Sequence, residues 1–189
     1  MNPIQSDIHF ELAKQAIKGN LAAQKQIYGL YAKAMFNICV RLMNNYHDAE
    51  DMLQESFSDV FKKLETFRFE STLGAWIKQI TIHKCINELK RRKAQLEYHD
   101  TLSNYDENES EHYNDSEALE PDYSVDKIRH AMALLPDGYR TVFSLYLMEG
   151  YDHEEIASII GISESTSKTQ LMRAKKKLIE IINLGNSTN

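Results

Sequence analysis

The sequence predicts an all-α protein made of two small helical modules joined by a disordered acidic linker. Three observations carry this reading. Only 7 Gly and 3 Pro occur in 189 residues, too few turn residues for a many-turned sandwich or barrel. Towards both ends of the chain, apolar residues recur at three- and four-residue steps, the spacing of one helical face. Between these stretches, residues 94–124 hold ten Asp and Glu and no Lys or Arg. With so few aliphatic side chains, that segment cannot bury enough surface to offset chain entropy. The expected boundaries are 1–93, 94–124 and 125–189. As a flexible coil the linker would span roughly 30 Å.

Four helices are expected in the first module. The first covers Asp7 to Lys18 and ends at Gly19-Asn20. The second carries the stripe Ile27, Leu30, Tyr31, Ala34, Met35, Ile38 and Leu42, and ends at Asn44-Asn45. The third starts at Asp48, a residue suited to an N-cap, with acidic residues in its first turn. Its stripe is Leu53, Phe57, Val60, Phe61 and Leu64. The fourth starts near Ser71 or Thr72, buries Leu73, Trp76, Ile77, Ile80, Cys85, Ile86 and Leu89, and ends in the basic run Lys90 to Lys93.

The second module also reads as four helices. Val125 to Leu134 is one. Pro136 opens the next, with Val142, Phe143, Tyr146 and Leu147 inward and Gly150 closing it. Asp152 with Glu155 has capping-box spacing for a short helix to Ile160. Gly161 and Ile162 form a turn, Ser163 caps the last helix, and Gly185 stops it after Leu184. A short helix, a Gly-containing turn and a second helix is helix-turn-helix spacing. Ile156, Ala157, Ile160, Ile162, Leu171 and Ala174 would be its core. The second of these helices then exposes Ser165, Thr166, Lys168, Thr169, Met172, Arg173 and Lys176. Small hydroxyls near the start and cations further on suit a helix that reads base edges and holds phosphates in a major groove.

Composition excludes several classes. Two cysteines, Cys39 and Cys85, rule out a disulfide scaffold and a four-cysteine zinc site, and both fall on apolar faces as packed thiols. No apolar run approaches a membrane span, so no membrane insertion is expected. The first fifteen residues lack a basic-then-apolar signal pattern, and a cytoplasmic location is expected. The sequence contains no glycine-rich phosphate loop and no nucleophile–base set, and His153 lacks the second His of a zinc-protease motif. Neither cofactor nor catalysis is expected. The net charge of −6 is set by the acidic linker. The first module is net basic, so nucleic-acid binding stays open.

Two further clusters admit several readings. Trp76, Gln79, His83, Lys84, Asn87, Lys90 and Arg91 share the non-core side of the fourth helix, below the loop Phe67 to Ser71. Aromatics beside cations suit single-stranded DNA, and equally a buried Phe/Trp core with a basic C-terminus favoured by the helix dipole. Asp48, Asp51, Glu55 and Asp59 form a carboxylate stripe on the third helix. It could be a solvated face, a metal-binding face as in helical nucleotide hydrolases, or a docking surface for a basic partner. A plain helix-turn-helix regulator and a metal-dependent hydrolase are therefore the rival functions.

The stretch DAEDMLQESFSDVFKKLETFRFESTLGAWIKQITIHKCINELKRRK resembles region 2 of a bacterial sigma factor. LLPDGYRTVFSLYLMEGYDHEEIASIIGISESTSKTQLMRAKKKL resembles region 4 of the same family. Two regions and a linker match the extracytoplasmic function (ECF) group. The resemblance implies a factor that binds core RNA polymerase, directs it to promoters and assists DNA melting. It implies that Asp51, Gln54 and Glu55 grip the clamp helices of the largest polymerase subunit, and that the flap of the second largest subunit is a further contact. It implies that Phe67, Arg68, Glu70 and Ser71 form the loop that captures a minus-10 base. Gln79, His83, Lys84 and Asn87, followed by Lys90 and Arg91, would face that DNA. Ser165, Thr166, Lys168, Thr169, Met172, Arg173 and Lys176 would face the minus-35 element. An anti-sigma factor, in some cases membrane-bound, is the implied inhibitor. Three positions depart from the pattern. His83 stands where relatives often carry Asn. Ala75 replaces an aromatic used in melting, which implies weaker melting and stricter promoter choice. Ser167 replaces a branched apolar residue, which implies looser packing of the recognition helix.

Overall fold

The computed structural model describes the backbone of residues 9–100 and 124–186, and the side chains of 9–94 and 124–184. Its helices are α1 (Phe10–Ile17), α2 (Leu21–Met43), α3 (Tyr46–Lys63), α4 (Leu73–Asp100), α5 (Val125–Ala133), α6 (Asp137–Phe143), α7 (His153–Ile160) and α8 (Glu164–Asn186). A 3₁₀ turn, Leu64–Thr66, follows α3, and a π-helical turn, Ser144–Met148, follows α6. The described residues contain no strand, and the fold is all-α. Two compact units result, Met1–Leu89 and Lys90–Asn189. The expected start of the first helix at Asp7, and most of the expected linker, lie outside the described residues.

In the first unit, Asn20 caps α2 by accepting from the backbone N–H groups of Ala22 and Ala23. Asn44 ends α2 in the left-handed region at φ +53°, a conformation asparagine tolerates. The core joins Ile27, Leu42, Val60, Leu64, Leu73, Ile77 and Ile82, all essentially inaccessible to solvent. Burying each such side chain contributes about 1.5–3 kcal/mol. Cys39 of α2 and Cys85 of α4 meet in this core with their sulfurs 3.7 Å apart. The neighbouring sulfur and then burial push the Cys85 thiol well above the ordinary range, so it stays protonated and packs as a small apolar group. Gly74 marks a close approach at the start of α4. A Cβ there would fall 2.8 Å from the Tyr31 ring of α2.

Several expectations for this unit need correcting. The N-cap of α3 is Asn45, whose side chain accepts from the Asp48 N–H at 3.1 Å. Asp48 is already inside the helix, where its charge suits the first turn. The left-handed turn at Asn44 brings Asn45 straight into cap geometry, so the two helices are joined with almost no loop. Leu30 and Ala34 of α2 face solvent. Ala23, Cys39 and Met43 join the inward face instead. In α4 the buried pair is Thr81–Ile82, with Ile80 only half-buried. The Thr81 hydroxyl is satisfied by the Ile77 carbonyl at 3.0 Å, the i−4 bond open to threonine in a helix. α4 also continues to Asp100, past the expected end at Lys93. The added residues begin Ala94-Gln95-Leu96-Glu97, all good helix formers with no breaker among them.

In the second unit, Ser124 caps α5 through the Lys127 N–H. Asp152 and Glu155 form the expected capping box, with reciprocal bonds of 2.8 and 2.9 Å. Gly161 ends α7 at φ +81°, and Ser163 accepts from the Thr166 N–H to start α8. α7 and α8 pack together around Ile156, Leu171 and Ala174. α8 runs through Gly185 to Asn186 and does not stop at Leu184. The π-turn corrects the inward face after α6. Glu149 N–H reaches back five residues to Ser144, which inserts an extra residue into the helical period. Leu145 becomes fully buried, while Leu147 turns outward and Tyr146 sits at the edge.

Asn45→Ala should destabilise the first unit by about 1 kcal/mol, the usual worth of an N-cap, whereas Asp48→Ala should cost clearly less. Thermal unfolding of the two variants checks the order. Equal losses would return the cap to Asp48.

Candidate polymerase and nucleic-acid interface

The apolar stripe of α3 faces α2, so its carboxylates face out. Asp51, Gln54 and Glu55 are all exposed. Asp51 has His47 one turn before it, 4.0 Å away. At the far end of the row, Lys84 of α4 reaches across to Asp59 at 2.9 Å and Glu55 at 3.4 Å, and Lys63 approaches Asp59 from its own helix. The hydrogen bond from Lys84 holds the Asp59 carboxyl below its usual value, and the same bond holds Lys84 above its own. Lys84, implied as a DNA contact, is therefore gripped by the acidic row. Its ammonium is drawn to the two carboxylates that the α3 stripe presents beside it. Among the described residues, no group of three or more His, Cys, Asp or Glu gathers as a metal ligand set. The row interleaves its carboxylates with a cation instead.

The rest of the α4 row lies at the surface. Gln79, His83 and Asn87, at four-residue steps, are exposed, and Lys90 and Arg91 follow on the same helix. Trp76 lies half-buried at the head of this row. Its ring is 5.2 Å from Phe67, which is itself 4.6 Å from Phe69. Phe67, implied as part of a base-capturing loop, is thus buried with only 6% of its surface open. Apolar burial against two neighbouring rings outweighs leaving it in water, so it supports the loop from within. Arg68, Glu70 and Ser71 point outward between and beyond the rings. Phe69 adopts φ +58°.

On α8, all seven predicted residues, Ser165, Thr166, Lys168, Thr169, Met172, Arg173 and Lys176, are exposed. Several are engaged locally. Ser163 Oγ lies 2.9 Å from Ser165 Oγ and 2.7 Å from Thr166 Oγ1. Thr169 Oγ1 donates to the Ser165 carbonyl, and Lys168 pairs with Glu164 at 2.6 Å. Behind this surface, Ser167 is fully buried, with its Oγ 2.9 Å from His153 Nδ1 of α7. The His153 ring stacks on Tyr146 at 4.6 Å. The expected looseness at Ser167 is therefore not seen, because a hydrogen-bonded serine–imidazole pair takes the place of an apolar contact. A polar residue at an otherwise core position, fourteen residues from a histidine, was the only sequence signal for it.

The comparisons with known proteins agree on the family. Residues 27–95 match the family described as Sigma-70 region 2, and residues 126–178 match Sigma-70, region 4. The chain belongs to the sigma-70 family, in its ECF group. It is similar to the ECF RNA polymerase sigma factor SigW of Bacillus subtilis, with 26% identity over 87% of this chain and 91% of that protein. The RNA polymerase sigma factor SigV of the same organism is 29% identical over 75% and 80%. In fold, the chain resembles the sigma factor RpoE of Bartonella quintana, solved in complex with the anti-sigma factor NepR. The TM-score is 0.55 at 23% identity, covering 84% of this chain and 96% of that one. As a sigma factor this chain is a non-enzymatic initiation factor, which binds RNA polymerase and confers promoter-specific transcription initiation. Among the described residues, no helix of this sigma factor is long and apolar enough to cross a membrane.

The Asp59–Lys84 pair predicts a pH signature. Asp59 titrates below its ordinary value of 3.8 in the folded state. The stability it contributes is fully present above the unfolded value and is lost as pH falls through the folded one. Asp59→Asn should therefore cost up to about 1 kcal/mol near neutral pH, the ceiling for a partly exposed ion pair, and the difference from wild type should fade as pH falls through the lowered Asp59 value. Urea unfolding across pH checks this. A difference that persists undiminished in acid would show that the pair's charge is irrelevant.

Proposed function

We propose that the first unit docks on the clamp helices of the largest polymerase subunit through Asp51, Gln54 and Glu55. In this reading Arg68, Glu70, Ser71 and the α4 row of Gln79, His83, Asn87, Lys90 and Arg91 contact the minus-10 element and assist melting there. The observation that carries the proposal is the segregation of opposite surfaces on two helices, α3 and α4. An acidic row on α3 suits a basic protein partner, and an amide-and-cation row on α4, headed by Trp76, suits a single DNA strand.

The second unit reads the minus-35 element through α8, with Met172, Arg173 and Lys176 among its exposed groups, and touches the flap of the second largest subunit. The capped turn between α7 and α8, with the recognition residues all exposed, supports major-groove docking. An anti-sigma factor is the inhibitory partner, and the complex of RpoE with NepR supports that class of regulation for a protein of this fold.

Asp51→Ala combined with Glu55→Ala should weaken binding to core polymerase while leaving stability within about 0.5 kcal/mol, as expected for exposed positions. A fluorescence titration against core enzyme reads the loss. Unchanged affinity would remove the docking assignment. In the second unit, Arg173→Ala should lose about 1–3 kcal/mol of promoter binding, and Lys177→Ala less, because Lys177 turns to Glu180 on its own helix at 3.4 Å. Equal losses in a gel-shift series would place the groove-facing register elsewhere.

A further inference from the structure

We infer that Phe69 is a positioning residue for the loop Phe67 to Ser71, and that Phe10 of α1 is the clamp that holds it. This rests on the reading of that loop as the minus-10 contact. Phe69 is one of two non-glycine residues with positive φ among the described residues, and the other, Asn44, is a helix C-cap. A bulky aromatic side chain in the left-handed region is strained, and such a conformation persists only where its surroundings over-determine it.

The surroundings here are rings. Phe10 meets Phe69 edge-on at 4.8 Å and 60°. Phe67 tilts against Phe69 at 4.6 Å and against Trp76 at 5.2 Å. Lys14 Nζ lies 4.0 Å from the centre of the Phe10 ring and fixes the outer end. A ladder Phe10–Phe69–Phe67–Trp76 thus ties α1, the loop and α4 together. Around the left-handed turn, Phe67 is buried and Phe69 half-buried, while Arg68, Glu70 and Ser71 are exposed. α1 carries none of the residues assigned to polymerase or DNA. Its place in the reading of DNA is to hold the loop's backbone from behind, so that three exposed side chains are presented in one fixed arrangement.

The test uses the full chain. Backbone order parameters by NMR are measured for 68–71, together with transcription by core polymerase from promoter fragments randomised at the minus-10 element. In Phe10→Ala the order parameters at 68–71 should fall from the rigid range to below about 0.6 while those of α2 and α3 hold. The preference for the best minus-10 sequence over its single-base variants should fall about two- to tenfold, the range set by one aromatic pair. Phe69→Gly relieves the strained φ but deletes the ring, and should behave like Phe10→Ala. Phe69→Tyr should keep wild-type behaviour. Unchanged order parameters in both Phe10→Ala and Phe69→Gly overturn the inference. So does a retained sequence preference in Phe10→Ala when Arg68→Ala loses it. If the loop loosens in Phe10→Ala but neither that variant nor Arg68→Ala alters the preference, the clamp stands and the minus-10 reading of the loop falls.

Discussion

The buried seam among α2, α3 and α4 is the constraint on which the first unit's surfaces depend. A unit of this size has little interior, so nearly every aliphatic side chain of three helices must turn to one place. Ile27 and Leu42, Val60 and Leu64, Ile77 and Ile82 meet there. Once they do, the remaining faces of α3 and α4 are left to water, and what they carry becomes a surface of definite charge. The acidic row of α3 and the amide-and-cation row of α4 are the complements of two apolar stripes. Lys84 is the exception. It sits where the two helices approach, and the carboxylates of Asp59 and Glu55 take it up.

The same economy shapes the second unit differently. Its core is smaller, and two polar devices complete it. The π-turn shifts the phase of the helix after α6, so Leu145 fills the interior while Leu147 faces out. Buried Ser167 is matched to His153, whose ring in turn lies on Tyr146. A buried hydroxyl without a partner would be destabilising. With one, it joins α7 to α8 in a defined register, and that register sets which residues of α8 stand outward.

A sigma factor must engage a basic protein surface and a polyanion at once. In the proposed reading the acidic row of α3 and the amide-and-cation row of α4 divide the two tasks by helix. Phe67 and Phe69 show a related division inside a single loop, where the aromatic residues do the holding and the polar residues between and beyond them are left for contact.

The helical class, the caps at Asp152 and Ser163, the Gly161 turn and the exposure of the recognition residues were legible in the sequence. Each follows from local chemistry or from helical period, which a linear string displays. The family was legible for the same reason, because its motifs are runs of neighbouring residues. The tertiary structure decided the rest. Asn45 displaced Asp48 as the cap, because the left-handed turn at Asn44 depends on how two helices meet. Phe67 went inside and Lys84 was captured, because their partners Trp76, Asp59 and Glu55 are brought near by packing and not by sequence distance. The turn-like stretch after α6 kept helical composition while changing period, so Leu147 and Leu145 exchanged places. The resemblance implied a DNA-facing cation and a base-capturing ring, and the helical period an inward leucine. Burial and electrostatics between elements reassigned all three, because those forces act on distances that only the fold sets.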